Sequence, residues 1–181
     1  MPEGTGYTLH RHDGKETLAM LEEITSIYLP AYSEPPYNSQ PLYGREKFTE
    51  RTTAQAQDPE FTLIAARTQQ GELAGFSFGL PFGAGRWWHD VSGSKPAPEI
   101  VEASKFSVIE LVVAKAHRGR GLAHRLIDAL LNGRPEDYAM LLAHPEARAR
   151  QMYERWGWTE VAKVQTRADT DPADALVLKL S

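Results

Sequence analysis

No cysteine occurs among the 181 residues. A disulfide framework and a thiolate metal site are therefore excluded, as is covalent catalysis through an enzyme thiol. Long apolar runs are missing too. No stretch is long enough to span a bilayer, and the N-terminal MPEGTGYTLHRHDGK lacks the apolar core of a signal peptide, which predicts a cytoplasmic protein with no membrane partner. The net charge of −4 argues against nucleic acid as a partner, since phosphate neutralisation needs clustered Lys and Arg over a broad surface. His10 and His12 stand two apart near the terminus, while His117, His124 and His144 are scattered without matching Asp or Cys spacing, so no metal is expected. No serine lies in a G-x-S-x-G elbow, which removes support for a hydrolase-type triad. Repeats and domain-dividing linkers are also absent, and the length suits one domain, 1–181, with a single core.

The most informative stretch present is HRGRGLAHRLIDALLNG, His117 to Gly133, two residues beyond the apolar run VIELVVA, Val108 to Ala114. A buried strand that runs through a glycine-containing turn into a helix leaves the first helical amides without partners, and those amides form an anion site. Two common phosphate loops do not fit. A nucleoside triphosphate loop needs Lys followed by Ser or Thr after its last glycine, and Gly121 is followed by Leu122 and Ala123. A dinucleotide fingerprint needs a third glycine where His124 stands. From His117 to Arg125 there are three arginines and two histidines and no acid, a patch suited to one phosphorylated ligand or to a solvated cationic helix end. Leu122, Leu126, Ala129 and Leu130 fall on one helical face, Gly133 supplies a left-handed stop, and Pro135 prevents continuation.

Arg118-x-x-Gly121-x-Ala123, set between an apolar strand and an amphipathic helix, resembles the acyl-coenzyme A pyrophosphate loop of the GNAT superfamily of N-acetyltransferases. A second motif lies downstream. After the apolar run Tyr138 to Ala143, Ala149, Met152, Tyr153 and Trp156 fall at helical spacing and Gly157 ends the helix, similar to the family's Tyr-x-x-x-Gly-aromatic signature. The resemblance covers Val108 to Trp158. One departure is Glu146, where many members carry an asparagine that helps hold the cofactor. Before Val108 only element order contributes: a strand at Gly6 to His10, a helix at Glu16 to Tyr28, a break at Pro30, Pro35 and Pro36, and a helix at Arg45 to Gln57. Strands at Phe61 to Arg67 and Leu73 to Gly79 follow, and then a long loop, Pro81 to Glu99. A last strand pair, Thr159 to Thr166 and Ala175 to Leu180, flanks the turn DTDPAD. That order is the one the GNAT fold has, an α/β (α+β) domain with a mixed central sheet and helices on both faces.

The resemblance implies acetyl-CoA as co-substrate, with no metal. The loop Arg118, Gly119, Arg120, Gly121, Leu122, Ala123 and His124 would surround the pyrophosphate, and the backbone of Leu111, Val112 and Val113 would pair with the pantetheine arm. Tyr153 takes the position of the tyrosine that protonates the departing thiolate; by spacing alone it is equally one more amphipathic core residue. The reaction implied is direct attack of a neutral primary amine on the thioester. An amine with a pKa near ~10.4 must lose a proton first. Glu110, in the strand that feeds the loop, is the candidate base, directly or through water. Its alternative is an ordinary sheet glutamate that faces solvent or pairs with an arginine, although a charge inside so apolar a run asks for an explanation.

The acceptor is an amine-bearing small molecule or a peptide or protein amine. Acceptor pockets of the fold draw on the first two helices and nearby loops, which here contain Tyr28, Tyr32, Glu34, Tyr37, Trp87, Trp88, His89 and Asp90. Aromatics with carboxylates suit an amine cation. They equally suit a hydrophobic lid or the contact of a homodimer. A non-catalytic acyl-CoA-binding module of the same fold, a sensor or assembly subunit, is the alternative function.

Overall fold

Asp13 sets where the first helix begins. Its side chain accepts from the Glu16 amide at 2.8 Å while the Glu16 carboxylate accepts from the Asp13 amide at 3.1 Å, a reciprocal capping box. The computed structural model describes residues 6–88, 95–166 and 170–180. Strand β1 (Tyr7–His12) precedes this cap, and α1 (Gly14–Ala19) follows it. The single helix expected over Glu16 to Tyr28 is two. The Met20 amide turns back to the Thr17 carbonyl, which ends α1, and α2 (Leu21–Tyr32) starts afresh. Pro30 lies inside α2 rather than ending it. In a last turn proline forfeits one amide bond, and the helix stops two residues later. Helix α3 (Arg45–Gln55) follows a 3-10 turn at Pro41–Tyr43.

Strands β2 (Thr62–Thr68) and β3 (Leu73–Phe82) form an antiparallel pair whose turn uses Gly71 at φ +86°. β3 runs past the expected end at Gly79 and takes Pro81 with it. The long loop therefore starts later than expected, and it also contains α4 (Pro98–Glu102); its segment 89–94 lies outside the described residues. Strand β4 (Lys105–Val113) begins three residues before the expected Val108. The polar Lys105 and Ser107 hid this extension. Lys105 is 1% exposed, and its ammonium donates to the carbonyls of Ile100 at 3.2 Å, Val101 at 2.6 Å and Ala103 at 2.7 Å, acceptors that the end of α4 leaves unpaired. Helix α5 (Leu122–Leu131), strand β5 (Tyr138–Ala143), helix α6 (Arg148–Arg155) and strands β6 (Thr159–Val164) and β7 (Ala173–Lys179) complete the chain. Part of the turn DTDPAD, at residue 169, is outside the described residues.

The seven strands form one mixed sheet in the order β1-β2-β3-β4-β5-β7-β6. Strands β4 and β5 pair in parallel, from Lys105↔Tyr138 to Ser107↔Met140; β1–β2, β2–β3, β5–β7 and β6–β7 are antiparallel. The chain divides into two compact units. The first joins residues 1–80 to 109–132. Ile24, Tyr28, Phe48, Phe61, Leu63, Phe76, Phe78 and Val112 make its core, and α5 buries Leu122, Leu126, Ile127 and Leu130. The second joins 81–108 to 133–181, with Ile100, Met140 and Val177 at its centre and Phe82, Trp87 and Trp88 packed on them. No described helix is long and apolar enough to cross a membrane.

Gly14 marks the tightest approach in the first unit. A Cβ there would lie 1.9 Å from the carbonyl oxygen of Ala56, a backbone atom that cannot swing aside. Replacing Gly14 with Ala is expected to cost about 2 kcal/mol, measured as a fall in Tm of about 6 °C by calorimetry.

Candidate active site

Alternation along β4 turns Val108, Glu110 and Val112 to one buried face, while Ile109, Leu111 and Val113 are half-buried. Glu110 is only 9% exposed, so the solvent-facing alternative does not hold. Its backbone carbonyl accepts from Ser77 Oγ on β3 at 2.8 Å, and its Oε2 accepts from the Tyr32 hydroxyl of α2 at 2.7 Å. Burial pushes the carboxyl up from its ordinary 4.5 to about 7; the Tyr32 hydrogen bond and the positive charge of Arg51 hold it back from rising further. The result is a carboxyl that changes charge near neutral pH.

Tyr32 belongs to an aromatic stack. Its ring lies 4.2 Å from Tyr28 and 5.1 Å from Tyr43, both stacked, and 4.5 Å from Tyr37 in a tilted contact, while Tyr28 stacks on Phe48 at 3.8 Å. Arg51 on α3 donates to the Tyr28 hydroxyl at 3.1 Å and to the Leu42 carbonyl at 2.6 Å. Burial first, and the Glu110 charge after it, hold the hydroxyls of Tyr28 and Tyr32 well above their ordinary 10. They remain protonated donors across the physiological range.

Beyond Val113 the chain turns through Lys115–His117 into the loop before α5. Gly119 and Gly121 both adopt left-handed backbone, φ +76° and +74°, and a Cβ at either would meet nothing within 4 Å. Gly121 is the N-cap, and no side chain caps α5. Leu122 is buried and Ala123 half-buried, so Leu122 anchors the helix start while the small Ala123 stands beside it. Two of the arginines, Arg118 and Arg120, have protein partners. Arg118 donates to both Glu34 oxygens, at 3.2 and 2.9 Å, and to the Val113 carbonyl at 3.2 Å. Arg120 donates to the Tyr7 hydroxyl at 3.3 Å, which lies 2.7 Å from His117 Nδ1. His124 on α5 lies 3.5 Å from Asp128.

Glu110 through His124, with Tyr28, Tyr32, Glu34 and Tyr37, thus occur in the first unit. Tyr153 belongs to the second, where it is 7% exposed and packs edge-on against Trp156 and, tilted, against Trp158. His89 and Asp90, named among the acceptor residues, lie outside the described residues. Sequence reasoning missed Tyr7, Tyr43, Arg51 and Ser77 as members of these networks. Ser77 was detectable as a lone hydroxyl inside LAGFSFGLPF, whereas Tyr43 and Arg51 come together with Tyr28 only through the packing of α3 on α2. Among the described residues no group of His, Cys, Asp and Glu is arranged to hold a metal.

A raised carboxyl weakens the fold as it ionises. Below pH 4.5 Glu110 is neutral in both states; between 4.5 and about 7 the unfolded chain holds fewer protons than the native one, so stability falls as pH rises, by about 3 kcal/mol in full. Glu110→Gln removes that burden. Relative to the parent, it is expected to unfold at higher denaturant at pH 8 and to show no such gain at pH 4.

Residues 99–170 match the family model described as Acetyltransferase (GNAT) domain. A GCN5-like protein acetyltransferase of Mycobacterium tuberculosis is 32% identical over 123 residues, 61% of this chain and 59% of that protein, so the chain spans about three fifths of the length of the curated relative it matches. Among solved structures, yncA from Salmonella typhimurium, determined with its cofactor acetyl-CoA, superposes with a TM-score of 0.62 at 16% identity, covering 97% of this chain and 94% of that one. Arabidopsis thaliana NAA60, determined in complex with a bisubstrate analogue, superposes with a TM-score of 0.64 at 17% identity, covering 96% of this chain and all of the other (100%). The resemblance read from Arg118 to Ala123 and from Tyr153 to Trp158 thus agrees with these comparisons: the chain has the fold of the solved GNAT acetyltransferases, and its residues 99–170 match the GNAT acetyltransferase domain model.

Proposed function

We propose that the chain is an acetyl-CoA-dependent N-acetyltransferase, acting as one GNAT domain on a primary amine of a small molecule, peptide or protein. The observation that carries this reading is Glu110: a buried carboxyl that titrates near 7, on the strand leading into an uncapped, glycine-opened helix start. A base whose pKa lies close to the working pH combines availability with proton affinity, which is what deprotonation of an amine requires.

The loop fits an acyl-CoA pyrophosphate. Left-handed Gly119 and Gly121 leave space where any other residue would put a Cβ, and the α5 N-terminus offers amides and the positive end of its dipole. Under this reading the loop Arg118, Gly119, Arg120, Gly121, Leu122, Ala123 and His124 holds the pyrophosphate, and the backbone of Leu111, Val112 and Val113 aligns the pantetheine arm. Arg118 first has to leave Glu34. Both side chains are about a third exposed, at 26% and 35%, and an ion pair of that kind is worth at most about 1 kcal/mol, so a phosphate competes for the guanidinium at small cost. Acetyl-CoA supplies, when bound, an activated thioester whose C–S bond breaks as the amine nitrogen bonds to the acetyl carbon. Glu110 takes the amine proton, directly or through water. An amide near Val113 polarises the carbonyl oxygen. Tyr153 returns a proton to the leaving sulfur.

The first test is mass spectrometry of aminoglycosides, polyamines, amino acids and peptides with free N-termini, each incubated with the protein and acetyl-CoA. A product heavier by one acetyl group is expected from one class; intact acetyl-CoA across a widening panel would favour the non-catalytic module. Two variants test the assignments. Gly121→Leu is expected to weaken acetyl-CoA binding at least tenfold by calorimetry without unfolding the chain, and undiminished affinity would remove the loop from the cofactor site. Tyr153→Phe is expected to lower turnover and keep cofactor affinity; unchanged turnover would return Tyr153 to a purely packing role.

A further inference from the structure

One oxygen of the Glu110 carboxyl has a defined donor. Oε2 accepts from the Tyr32 hydroxyl at 2.7 Å, a short charge-assisted geometry. The donor is itself fixed. Tyr32 is the last residue of α2, its ring is held against Tyr28, Tyr37 and Tyr43, and its carbonyl accepts from the Ser39 amide at 2.9 Å, which ties the chain beyond the helix back onto it. The backbone that carries the carboxyl is anchored as well, because Ser77 Oγ donates to the Glu110 main-chain carbonyl at 2.8 Å. The phenol is thus set by a stack of rings, and the strand position from which the Glu110 side chain springs is set by a neighbouring strand.

We propose that Tyr32 is a positioning residue for the proton transfer: its hydroxyl holds Glu110 Oε2 and leaves Oε1 as the oxygen that takes the proton from the acceptor amine. The proposal rests on the reading of Glu110 as the base and adds to it the residue that orients it. The proton moves from the amine nitrogen to Oε1, while the Tyr32 proton stays on its own oxygen, since burial and the nearby carboxylate oppose ionisation of the phenol. The other groups that bear on Glu110 are Arg51 on α3, whose charge favours the carboxylate, and the hydroxyls of Tyr28 on α2 and Tyr37 in the segment that follows, both kept protonated by burial first, with its charge adding to that. Tyr32 hydrogen-bonds the carboxyl directly.

The test uses the full chain with carbon-13-labelled glutamate carboxyls, the Glu110 resonance being identified by its loss in Glu110→Gln. Tyr32→Phe keeps the ring in its stack and deletes only the hydroxyl. With the donor gone, the Glu110 titration midpoint is expected to rise by about one pH unit. Turnover of an amine that gives product is expected to fall about fivefold at pH 7 and to recover as the pH is raised, with the KM for acetyl-CoA unchanged. A purely packing role predicts the opposite pattern: Tyr32→Phe like the parent, Tyr32→Leu impaired and its Glu110 midpoint displaced by lost burial. An unmoved midpoint in Tyr32→Phe overturns the positioning role. A moved midpoint together with full turnover by Glu110→Gln overturns instead the reading of Glu110 as the base, and with it any catalytic meaning of the contact.

Discussion

A carboxyl group taken out of water must lose its charge or find donors, and Glu110 is held between those outcomes. Its place in the middle of VIELVV puts it on the same buried face as Val108 and Val112, where desolvation alone would keep it neutral. One phenol and a more distant guanidinium restore part of the lost solvation. The balance falls near neutrality. The aromatic stack on α2, the anchoring of β4 by Ser77, and Arg51 spanning Tyr28 and Leu42 can all be understood as the structure that keeps this one group at that point.

The anion site proposed at the loop would work by a different principle. Its charge complementarity would come from backbone, the start of α5 behind two left-handed glycines, while Arg118 and Arg120 are tied to protein partners at its edge. Arg118 links the loop to Glu34 in the segment after α2, and Arg120 links it to Tyr7 and so to His117 on the approach to the loop. A site built on amides is indifferent to side-chain rotamers, which is an advantage where a polyanion must be seated repeatedly.

The segments legible in the sequence were those where local chemistry decides the outcome. The turn at Gly119 and Gly121, the α5 stripe and its stop at Gly133, and the run into β5 were all fixed by glycine conformation and apolar period. Where polar residues are buried with distant partners, periodicity misleads. Lys105 is a fully buried lysine because α4 presents three carbonyls to it, and no local pattern reveals that; the start of β4 was misplaced for this reason. Pro30 was read as a break, yet in the final turn of a helix it costs too little to act as one. Glu110 stood out as an anomaly in an apolar run, but its donor, Tyr32, is 78 positions away in the sequence, and only tertiary packing joins them.

Whether ionised Glu110 accepts the proton of the acceptor amine is decided most directly by the pH dependence of kcat/KM. The parent chain is expected to show an acidic limb with an apparent pKa of about 7 that disappears in Glu110→Gln, whose residual rate follows only the ionisation of the amine. An acidic limb retained unchanged in Glu110→Gln would assign the proton to another group and remove Glu110 as the base.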